Sequence, residues 1–473
     1  MYFRKDNKKF SESADYSMKA IRQICAFVKG YTHEYAELLR LGFPVLLTQF
    51  GVIIMSFADT MMVGAYGVDQ LAASAFVNSI FLIPLVMLSG LASGLTPLVG
   101  ASYSRGEHNL CGRVTRAGIH VNLLVSGGFT LIMAGIYFLV DRMGQAPDIL
   151  PIARPYYLTL LATIIPMSLF NSLSQMCNGV TDTRTPMWFI LASIVLNILG
   201  NWLLIFGNWG CPRMGLTGAG VATLISRLVG VIGLAVALLC SRRYAAYRRG
   251  FFDRVPLPGL RRRVWSTSYP IMIQTGIECS LWSFGAVVCG WFGKVQLAAY
   301  QIVNTIGQLG FMTYLSFGNA VSIRVANFAG VEDDASARLA TRAGLHINYL
   351  LAAIASMVMA IFARYLISSF NSDPDVIQAG MLFILPLVLY QFLDATQLTY
   401  INAIRGTSRV QPLLGISIVS YVVVGVPILL LLACTFDMES VGVYYSFDVA
   451  LFMAALLAYI VFRRTPITST LEL

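Results

Sequence analysis

The sequence predicts an all-α polytopic membrane protein with twelve transmembrane helices in two parallel-repeat six-helix bundles. Composition is the first observation, because 57% of the 473 residues are hydrophobic and only 12% are charged. An average soluble domain carries about 25% charged residues. A series of apolar runs and an internal repeat are the second and third observations. The same composition excludes intrinsic disorder, which needs low hydrophobicity and high charge.

The apolar runs are long enough to be membrane spans, since about 20 residues cross a hydrocarbon core about 30 Å thick. Short polar turns separate them, so we expect consecutive spans to be antiparallel. The polar N-terminal region has no apolar core before a small-residue cleavage site, and we expect no removed signal peptide. The predicted spans are residues 40–63, 71–99, 117–140, 155–177, 186–206, 215–240, 266–292, 297–323, 343–363, 377–402, 412–434 and 441–462.

The internal repeat relates the two halves of the chain at an offset of 226 residues. QLAASAFVNSI at 70–80 matches QLAAYQIVNTI at 296–306, and TRAGIHVN at 115–122 matches TRAGLHIN at 341–348. Each half has an even number of predicted spans, so both halves enter the membrane in the same orientation. The predicted segments are a cytoplasmic tail (1–35), an N-lobe (36–240), a basic linker (241–263), a C-lobe (264–462) and a cytoplasmic tail (463–473).

Positive charge is concentrated in the N-terminal tail and in the linker, which alone contains eight arginines. Cytoplasmic loops of membrane proteins carry an excess of lysine and arginine, so the linker and both termini are predicted to be cytoplasmic. The net charge of +10 is therefore a topology signal, and we expect no nucleic-acid binding.

Several chemistries are excluded by what the sequence lacks. The eight cysteines form no CxxC pair and the four histidines fit no HExxH pattern, so we expect neither a disulfide framework nor a metal cofactor. No GxxxxGK phosphate loop and no nucleophile–base constellation occur. We predict that the protein is not an enzyme and needs no cofactor.

Four acidic residues lie inside predicted spans: Asp59, Glu278, Asp394 and Asp448. A charged side chain costs about 2.5–3.5 kcal/mol at the centre of a transmembrane helix, and such groups usually serve ion or substrate chemistry. A sheltered carboxyl can hold a proton, a metal ion or an organic cation, but not easily two at once. Mutual exclusion of this kind is the physical basis of a cation antiporter. The alternative is a hydrogen-bonded structural group; for Asp448 we favour a solvated helix end.

Polar side chains accompany these acids. Tyr390 precedes Asp394 by four residues and shares its helical face. Asn197 and Asn201 also share one face, and Thr223 follows in the next predicted span. Amide oxygens can help to coordinate a hard cation beside a carboxylate, or they can form hydrogen bonds between helices. The sequence leaves both interpretations open.

Four segments together resemble the multidrug and toxic compound extrusion (MATE) family, in its NorM-like bacterial branch. They are PVLLTQFGVIIMSFADTMMVGAYGVDQLAA from residue 44, LNILGNW around Asn201, GNAVSIRVANFAG at 318–330, and LYQFLDATQ followed by IRGTSR. The resemblance implies two six-helix bundles around a V-shaped cavity. It also implies export of amphipathic, often cationic drugs in exchange for Na⁺ or H⁺, from a bacterial inner membrane.

The resemblance also implies roles for individual residues. Asp59 matches the acid of the family's N-lobe, with Asn197, Asn201 and Thr223 as its cation-site neighbours. Some relatives carry aspartate where this chain has Asn201, so one negative charge is missing here. The residues that match the C-lobe cation site are Glu278, Tyr390 and Asp394, with Glu278 and Asp394 as potential Na⁺ ligands. Asp448 matches no family motif.

We predict a monomeric secondary exporter of organic cations and drugs, embedded in lipid and coupled to Na⁺ or H⁺. The main rival is a flippase for lipid-linked saccharides, whose anionic head would need arginines in the cavity. The spans offer chiefly Arg227 and Arg324, which we place near cytoplasmic ends. A membrane-embedded enzyme and a channel are weaker rivals, because no catalytic constellation supports the first and the duplication argues against the second.

Overall fold

Twelve long helices follow one another in the described part of a computed structural model, residues 3–253, 257–436 and 438–467, with side chains from residue 30 onward. The N-lobe helices are α1 (Phe3–Tyr66), α2 (Val68–Ser104), α3 (His108–Tyr137), α4 (Leu150–Gly179), α5 (Arg184–Phe206) and α6 (Leu216–Cys240). The C-lobe helices are α7 (Leu260–Trp291), α8 (Lys294–Gly330), α9 (Asp334–Ser368), α10 (Pro374–Leu382 and Ile384–Gly406), α11 (Pro412–Thr435) and α12 (Glu439–Arg464).

The helices have the length and apolarity of membrane spans. Within the described residues, ten of them qualify singly, and the two halves of α10, bent by 45°, qualify together. The remaining helix, α8, carries polar residues such as Gln301, Asn304 and Arg324 along its 37 residues. These residues lower its hydropathy, and much of α8 is buried against other helices. The count of twelve predicted helices is consistent with this arrangement.

Three of the long helices contain a proline without a break, and a fourth feature, at a glycine, interrupts α2. Pro44, Pro84 and Pro270 lie inside α1, α2 and α7, where each removes a backbone hydrogen bond and favours a bend. Helix α2 is interrupted at Gly94. A Cβ atom on Gly94 would lie 2.7 Å from the Cα atom of Ser268 in α7, so only glycine permits this close approach between the lobes.

The middle of α1 and the beginning of α7 pack into the opposite lobe in a symmetric way. Leu38 of α1 is buried in the apolar core of the C-lobe. Its repeat equivalent, Val264 of α7, is buried in an apolar core of the N-lobe. The remaining contacts between the lobes follow the same symmetry, because α1 packs on α8 and α2 packs on α7. The structure thus confirms the parallel repeat predicted from the sequence.

The lobes meet along one half of these four helices. Gly42 in α1 lies against the ring of Phe317 in α8, and Gly90 in α2 lies against Thr275 in α7. An ion pair closes the same end: the Arg324 guanidinium donates to both carboxylate oxygens of Glu34, at 2.6 and 3.0 Å.

The first part of the linker forms a short helix, Ala245–Phe252, that packs on α3. The close contact between this short helix and α3 depends on glycine, since a Cβ atom on Gly250 would lie 1.9 Å from the Asn109 carbonyl oxygen. Arg113 of α3 forms an ion pair with Asp253 just after this helix. Residues 1–2, 254–256, 437 and 468–473, together with the side chains of residues 3–29 in the basic N-terminal tail, lie outside the described residues.

Candidate functional site

The N-lobe site brings together all four residues predicted for it. The Asn201 amide donates to Asp59 Oδ1 and lies 3.4 Å from Asn197 Oδ1. The Asn197 amide in turn donates to Thr223 Oγ1 at 3.1 Å. Both asparagines are buried on α5, whereas Asp59 on α1 is half-buried. A continuous chain of polar side chains therefore leads from the carboxylate into the N-lobe.

Arg227 supplies a positive charge near this site. It lies near the middle of α6, where it donates to Thr163 Oγ1 at 2.6 Å, and it is close enough to interact electrostatically with Asp59. The prediction that Arg227 lies near a cytoplasmic helix end was wrong. The predicted span, residues 215–240, agrees with the helix found and already put Arg227 near its middle, so that prediction did not follow from the span bounds. Arg324, the other arginine in that prediction, does lie near the end of α8.

In the C-lobe, Glu278 on α7 accepts three hydrogen bonds. Gln274, one turn earlier, donates to Oε2 at 2.9 Å. Gln397 from α10 and the Tyr421 hydroxyl from α11 both donate to Oε1 at 3.2 Å. Gln397 also donates to the Tyr421 hydroxyl oxygen at 2.7 Å. Three helices therefore converge on one carboxylate.

The position of Tyr421 depends on an irregular helix. It lies in a π-helical stretch of α11, Ile418–Gly425, shortly before Pro427. Proline lacks the backbone N–H that an α-helix needs at that position, and single π-helical turns occur often at functional sites. Apolar periodicity alone could not place this hydroxyl, although Pro427 marks the irregularity in the sequence.

Sequence reasoning missed Arg405 as a site residue. Its guanidinium donates to Gln274 Oε1, so that Gln274 connects Arg405 to Glu278. Only 8% of Arg405 is exposed, although it lies close to the end of α10. The sequence did contain a sign of this role, because Arg405 is the first arginine of the IRGTSR segment. That segment supported the family resemblance, but its arginine was not assigned to a site.

Asp394 on α10 is buried without a partner. It is 1% exposed, and neither carboxylate oxygen has a hydrogen-bond partner in the described part of the chain. Glu278 is close enough to interact with it electrostatically. Gln397, three residues later on the same helical face, also has an unpartnered buried oxygen. Tyr390 is buried nearby and packs its ring against Trp282 at 5.4 Å.

The favoured prediction for Asp448, a solvated helix end, was wrong. Asp448 on α12 is only 6% exposed, and both of its carboxylate oxygens lack a hydrogen-bond partner within the described residues. It follows Tyr444 by one turn on the helix face that packs into the C-lobe. The sequence placed Asp448 near the end of its span but could not show which way that face points.

The charge balance of the two sites differs. The N-lobe site holds one acid and one nearby guanidinium, whereas the C-lobe interior holds three acids and one guanidinium, Arg405. Uncompensated charge is costly away from water. The C-lobe interior therefore carries more acidic charge than its one guanidinium can balance. Among the described residues, no group of three or more His, Cys, Asp or Glu side chains is arranged to hold a metal ion, so amide oxygens would have to contribute ligands.

The sequence matches a known family model once in each half. The model described as MatE matches residues 44–203 and 270–431, which together make up more than half of the chain. The chain belongs to the MatE family. The predicted family resemblance is thus confirmed, and so is the prediction of a membrane transporter that is not an enzyme.

Relatives of this MatE chain match it over most of its length. One is the probable multidrug resistance protein NorM of Bradyrhizobium diazoefficiens, 29% identical, with 91% of this chain and 93% of the relative covered. Another is the multidrug resistance protein NorM of Vibrio cholerae, 26% identical, with coverage of 84% and 87%.

Solved structures confirm the fold. The eukaryotic MATE transporter AtDTX14 superimposes with a TM-score of 0.81 at 21% identity, covering 92% of this chain and 97% of that chain. The Vibrio cholerae MATE transporter VcmN, in a mutant form, also gives 0.81, at 17% identity and with coverage of 92% and 98%. At such identities the likeness concerns the fold alone.

Proposed function

We propose that this MatE-family chain is a secondary active multidrug exporter that exchanges amphipathic organic cations for Na⁺ or H⁺ by alternating access between its two lobes. The names of its NorM relatives support multidrug resistance as the activity. In this proposal the division into tails, lobes and basic linker stays as the sequence predicts it. The positive-inside rule supports cytoplasmic termini, and the protein acts as a monomer in a bacterial inner membrane.

One observation carries the proposal: Asp394 is buried in a membrane-spanning helix and neither of its oxygens has a partner in the described chain. An ionised carboxyl without a partner is not stable in such surroundings. The residue must therefore bind a proton, a metal cation or an organic cation, and release of one favours uptake of another. Competition for the same carboxyl couples export of the drug to entry of the ion.

The donor atoms of the C-lobe suit a monovalent cation as well as a proton. Asp394 and Gln397 contribute three buried oxygens without hydrogen-bond partners in the described residues, and Glu278 lies close to them. Hard cations prefer carboxylate and amide oxygens of this kind. We assign Glu278 and Asp394 to ion coupling, and we propose that the buried Tyr390 side chain lines their site.

The N-lobe residues receive a second coupling role. Asp59 binds a proton or a cation, while Asn201, Asn197 and Thr223 orient its carboxylate through their hydrogen-bond chain. Arg227 offsets the charge of Asp59, so this site has less need of a bound cation than the C-lobe site has.

The rival function is flipping of a lipid-linked saccharide. Two arginines inside the helices could support it: Arg405, which the sequence argument missed, and Arg227, which it placed near a helix end. Each of them has an acid in its surroundings, since Arg405 interacts with Glu278 through Gln274 and Arg227 interacts with Asp59. An anionic head group would have to displace these acids from the arginines. The net negative C-lobe therefore favours cationic cargo.

The test is efflux of a fluorescent organic cation from proteoliposomes under an imposed Na⁺ gradient or an imposed pH gradient, each applied alone. We expect one gradient to drive efflux of the wild-type protein. Asp375→Asn serves as the control for variants of the buried acids, because Asp375 is an exposed acid at the start of α10. Its efflux should equal that of wild type. Failure of both gradients to drive efflux of several organic cations would refute the antiport proposal.

A further inference from the structure

Asp448 on α12 is a buried acid to which neither coupling site gives a role. It is 6% exposed, and neither of its carboxylate oxygens has a hydrogen-bond partner in the described part of the chain. No charged group among the described residues lies close enough to act on it electrostatically, whereas Asp394 has Glu278 nearby. Asp448 is therefore a separate site and not an outlying member of the Glu278–Asp394 pair.

The surroundings of Asp448 decide which ligand it can hold. A hard metal cation takes about six oxygen ligands, and an organic cation needs open space beside the carboxylate. At Asp394 the Gln397 amide oxygen and Glu278 can contribute ligands. Asp448 is enclosed and has no such neighbour within the described chain. A proton needs only one oxygen, and without it an ionised carboxyl away from water is costly, so the ligand that fits Asp448 is a proton.

A run of aromatic rings leads from the neighbourhood of Asp448 to that of Asp394. Phe447, which precedes Asp448 on α12, packs its ring on Trp282 of α7 with centroids 4.1 Å apart. Trp282 also packs on Tyr390, which lies one turn before Asp394 on α10. These rings fill the space between the helices with apolar surface. The two acids therefore share apolar surroundings but do not share a ligand.

The titratable side chains packed around this aromatic run are phenols and a thiol. Helix α12 packs on α7, α8, α10 and α11, and each of these helices contributes one such group. With Tyr444 of α12 itself, the set is Cys289 of α7, Tyr300 of α8, Tyr390 of α10 and Tyr421 of α11. Phenols and thiols are largely uncharged at pH 7. None of them can balance the charge of an ionised Asp448 in this conformation.

Helix α11 connects the helix of Asp448 to the Glu278 site. It packs on α12 through both of its π-helical stretches, Ile418–Gly425 and Leu431–Thr435. Its Tyr421 hydroxyl, in the first of these stretches, donates to Glu278 at 3.2 Å. Such π-helical turns occur often at functional sites. A change of ligand at Glu278 that displaces Tyr421 therefore also moves the surface that α11 presents to α12.

We propose that Asp448 is a separate proton-binding site of the C-lobe, protonated in the conformation seen here and deprotonated when α11 moves against α12. This inference rests on the proposed antiport function and adds one exchanged proton to each transport cycle. In the release step the carboxyl O–H bond breaks, its electron pair stays on the carboxylate, and the proton passes to water that enters between the two helices. The same water hydrates the carboxylate that remains.

The first measurement counts exchanged protons. Proteoliposomes hold equal Na⁺ on both sides and a membrane potential clamped at zero, and a fluorescent organic cation is followed under an imposed pH gradient until net flux stops. Each proton exchanged for one drug cation multiplies the final drug gradient by the proton gradient, so a pH difference of about one unit contributes about a factor of ten per proton. A residue that only supports the fold changes how fast this final gradient is reached, but not its size.

Asp448→Asn should therefore lower the final drug gradient by about tenfold at a pH difference of about one unit. Asp448→Leu also lacks the proton and should show the same loss, so the result does not depend on the folding of one variant. Asp448→Glu, which keeps the carboxyl group, should restore the wild-type gradient. Asp375→Asn changes an exposed acid at the start of α10 and is the control, with the wild-type gradient expected.

Infrared spectroscopy of the full-length protein in lipid gives a second measurement that needs no transport, because a protonated carboxyl group has a carbonyl stretch that a carboxylate lacks. This signal should be weaker in Asp448→Asn than in wild type and unchanged in Asp375→Asn. The proposal is overturned if Asp448→Asn or Asp448→Leu reaches the wild-type drug gradient, or if Asp448→Asn keeps the full carbonyl signal. Failure of the proposed antiport is a different result, since then neither a Na⁺ gradient nor a pH gradient drives efflux by wild type.

Discussion

The two lobes share a repeat but treat their buried charges differently. In the N-lobe, Asp59 has a hydrogen bond from Asn201 and a guanidinium nearby. In the C-lobe, Glu278 has three donors, whereas Asp394 and Asp448 have none in the described chain. The N-lobe site is thus close to neutral, although the buried Asn201 Oδ1 lacks a hydrogen-bond partner among the described residues. Under the proposed function the C-lobe site needs a ligand. Duplication preserved the helical frame, and under the proposed function the substitutions within it make the ion requirement of the two lobes unequal.

The largest effect on transport should come from Asp394→Asn. The amide cannot bind a proton or a cation in exchange for the drug, so coupling is lost even though the fold is retained. We expect the initial rate of gradient-driven efflux in proteoliposomes to fall by at least about a hundredfold, equivalent to nearly 3 kcal/mol of barrier. Asp375→Asn is the matched control. Efflux within a factor of about two of wild type would remove Asp394 from the mechanism.

Asp59→Asn should reduce efflux less, by about tenfold, which corresponds to 1.4 kcal/mol. Arg227 already offsets the Asp59 charge, so neutralising the acid removes a smaller part of the ion requirement. The same efflux assay measures the rate, with Asp69→Asn as control because Asp69 is an exposed acid at the start of α2. A loss larger than that of Asp394→Asn would reverse the order of the two lobes.

The sequence alone could predict the acids but not their surroundings. Carboxylates inside apolar runs are conspicuous, and the spacing of Asn197 and Asn201 identified a shared face that the structure contains. Convergence of Gln274, Gln397 and Tyr421 on Glu278 depends on how three helices are rotated against one another. No local pattern encodes that rotation.

The two errors in depth had different causes. Arg227 was placed near a helix end and lies near the middle of α6, and Asp448 was expected in solvent and is buried. The predicted span 215–240 already put Arg227 near its middle, so that prediction disagreed with the span bounds, whereas the Asp448 prediction assumed that distance along the chain gives distance from water. Helix tilt, helix length and the face that packs inward decide that distance, and they are tertiary properties.

A smaller effect is expected from Tyr421→Phe. The hydroxyl donates to Glu278 and accepts from Gln397, but Glu278 keeps its two amide donors. Loss of one hydrogen bond costs about 1 kcal/mol, so efflux should slow by roughly fivefold. Tyr300→Phe is the control, since the buried Tyr300 hydroxyl donates to the Trp282 carbonyl at 3.3 Å rather than to an acid. Equal effects of the two variants would show that the hydrogen bond from Tyr421 to Glu278 has no special role in transport.

The smallest effect on transport, and a distinct effect on stability, should come from Asp182→Asn. Burial acts to raise the pKa of Asp182, but hydrogen bonds from Tyr244 and Thr185 and the charge of Arg243 outweigh burial and hold this pKa below its ordinary value. A carboxyl with a lowered pKa in the folded state stabilises the fold above its unfolded pKa, about 3.9, and that contribution is lost as the pH falls through the folded pKa. We therefore expect wild type to exceed the variant in Tm at pH 7, with a difference that disappears in acid.

The control is Asp141→Asn, which breaks the exposed ion pair with Arg154. It should lower Tm little at any pH, because exposed pairs contribute at most about 1 kcal/mol. A Tm difference for Asp182→Asn that is independent of pH would mean that the carboxylate charge does not stabilise the start of α5 or its contact with Arg243 and Tyr244.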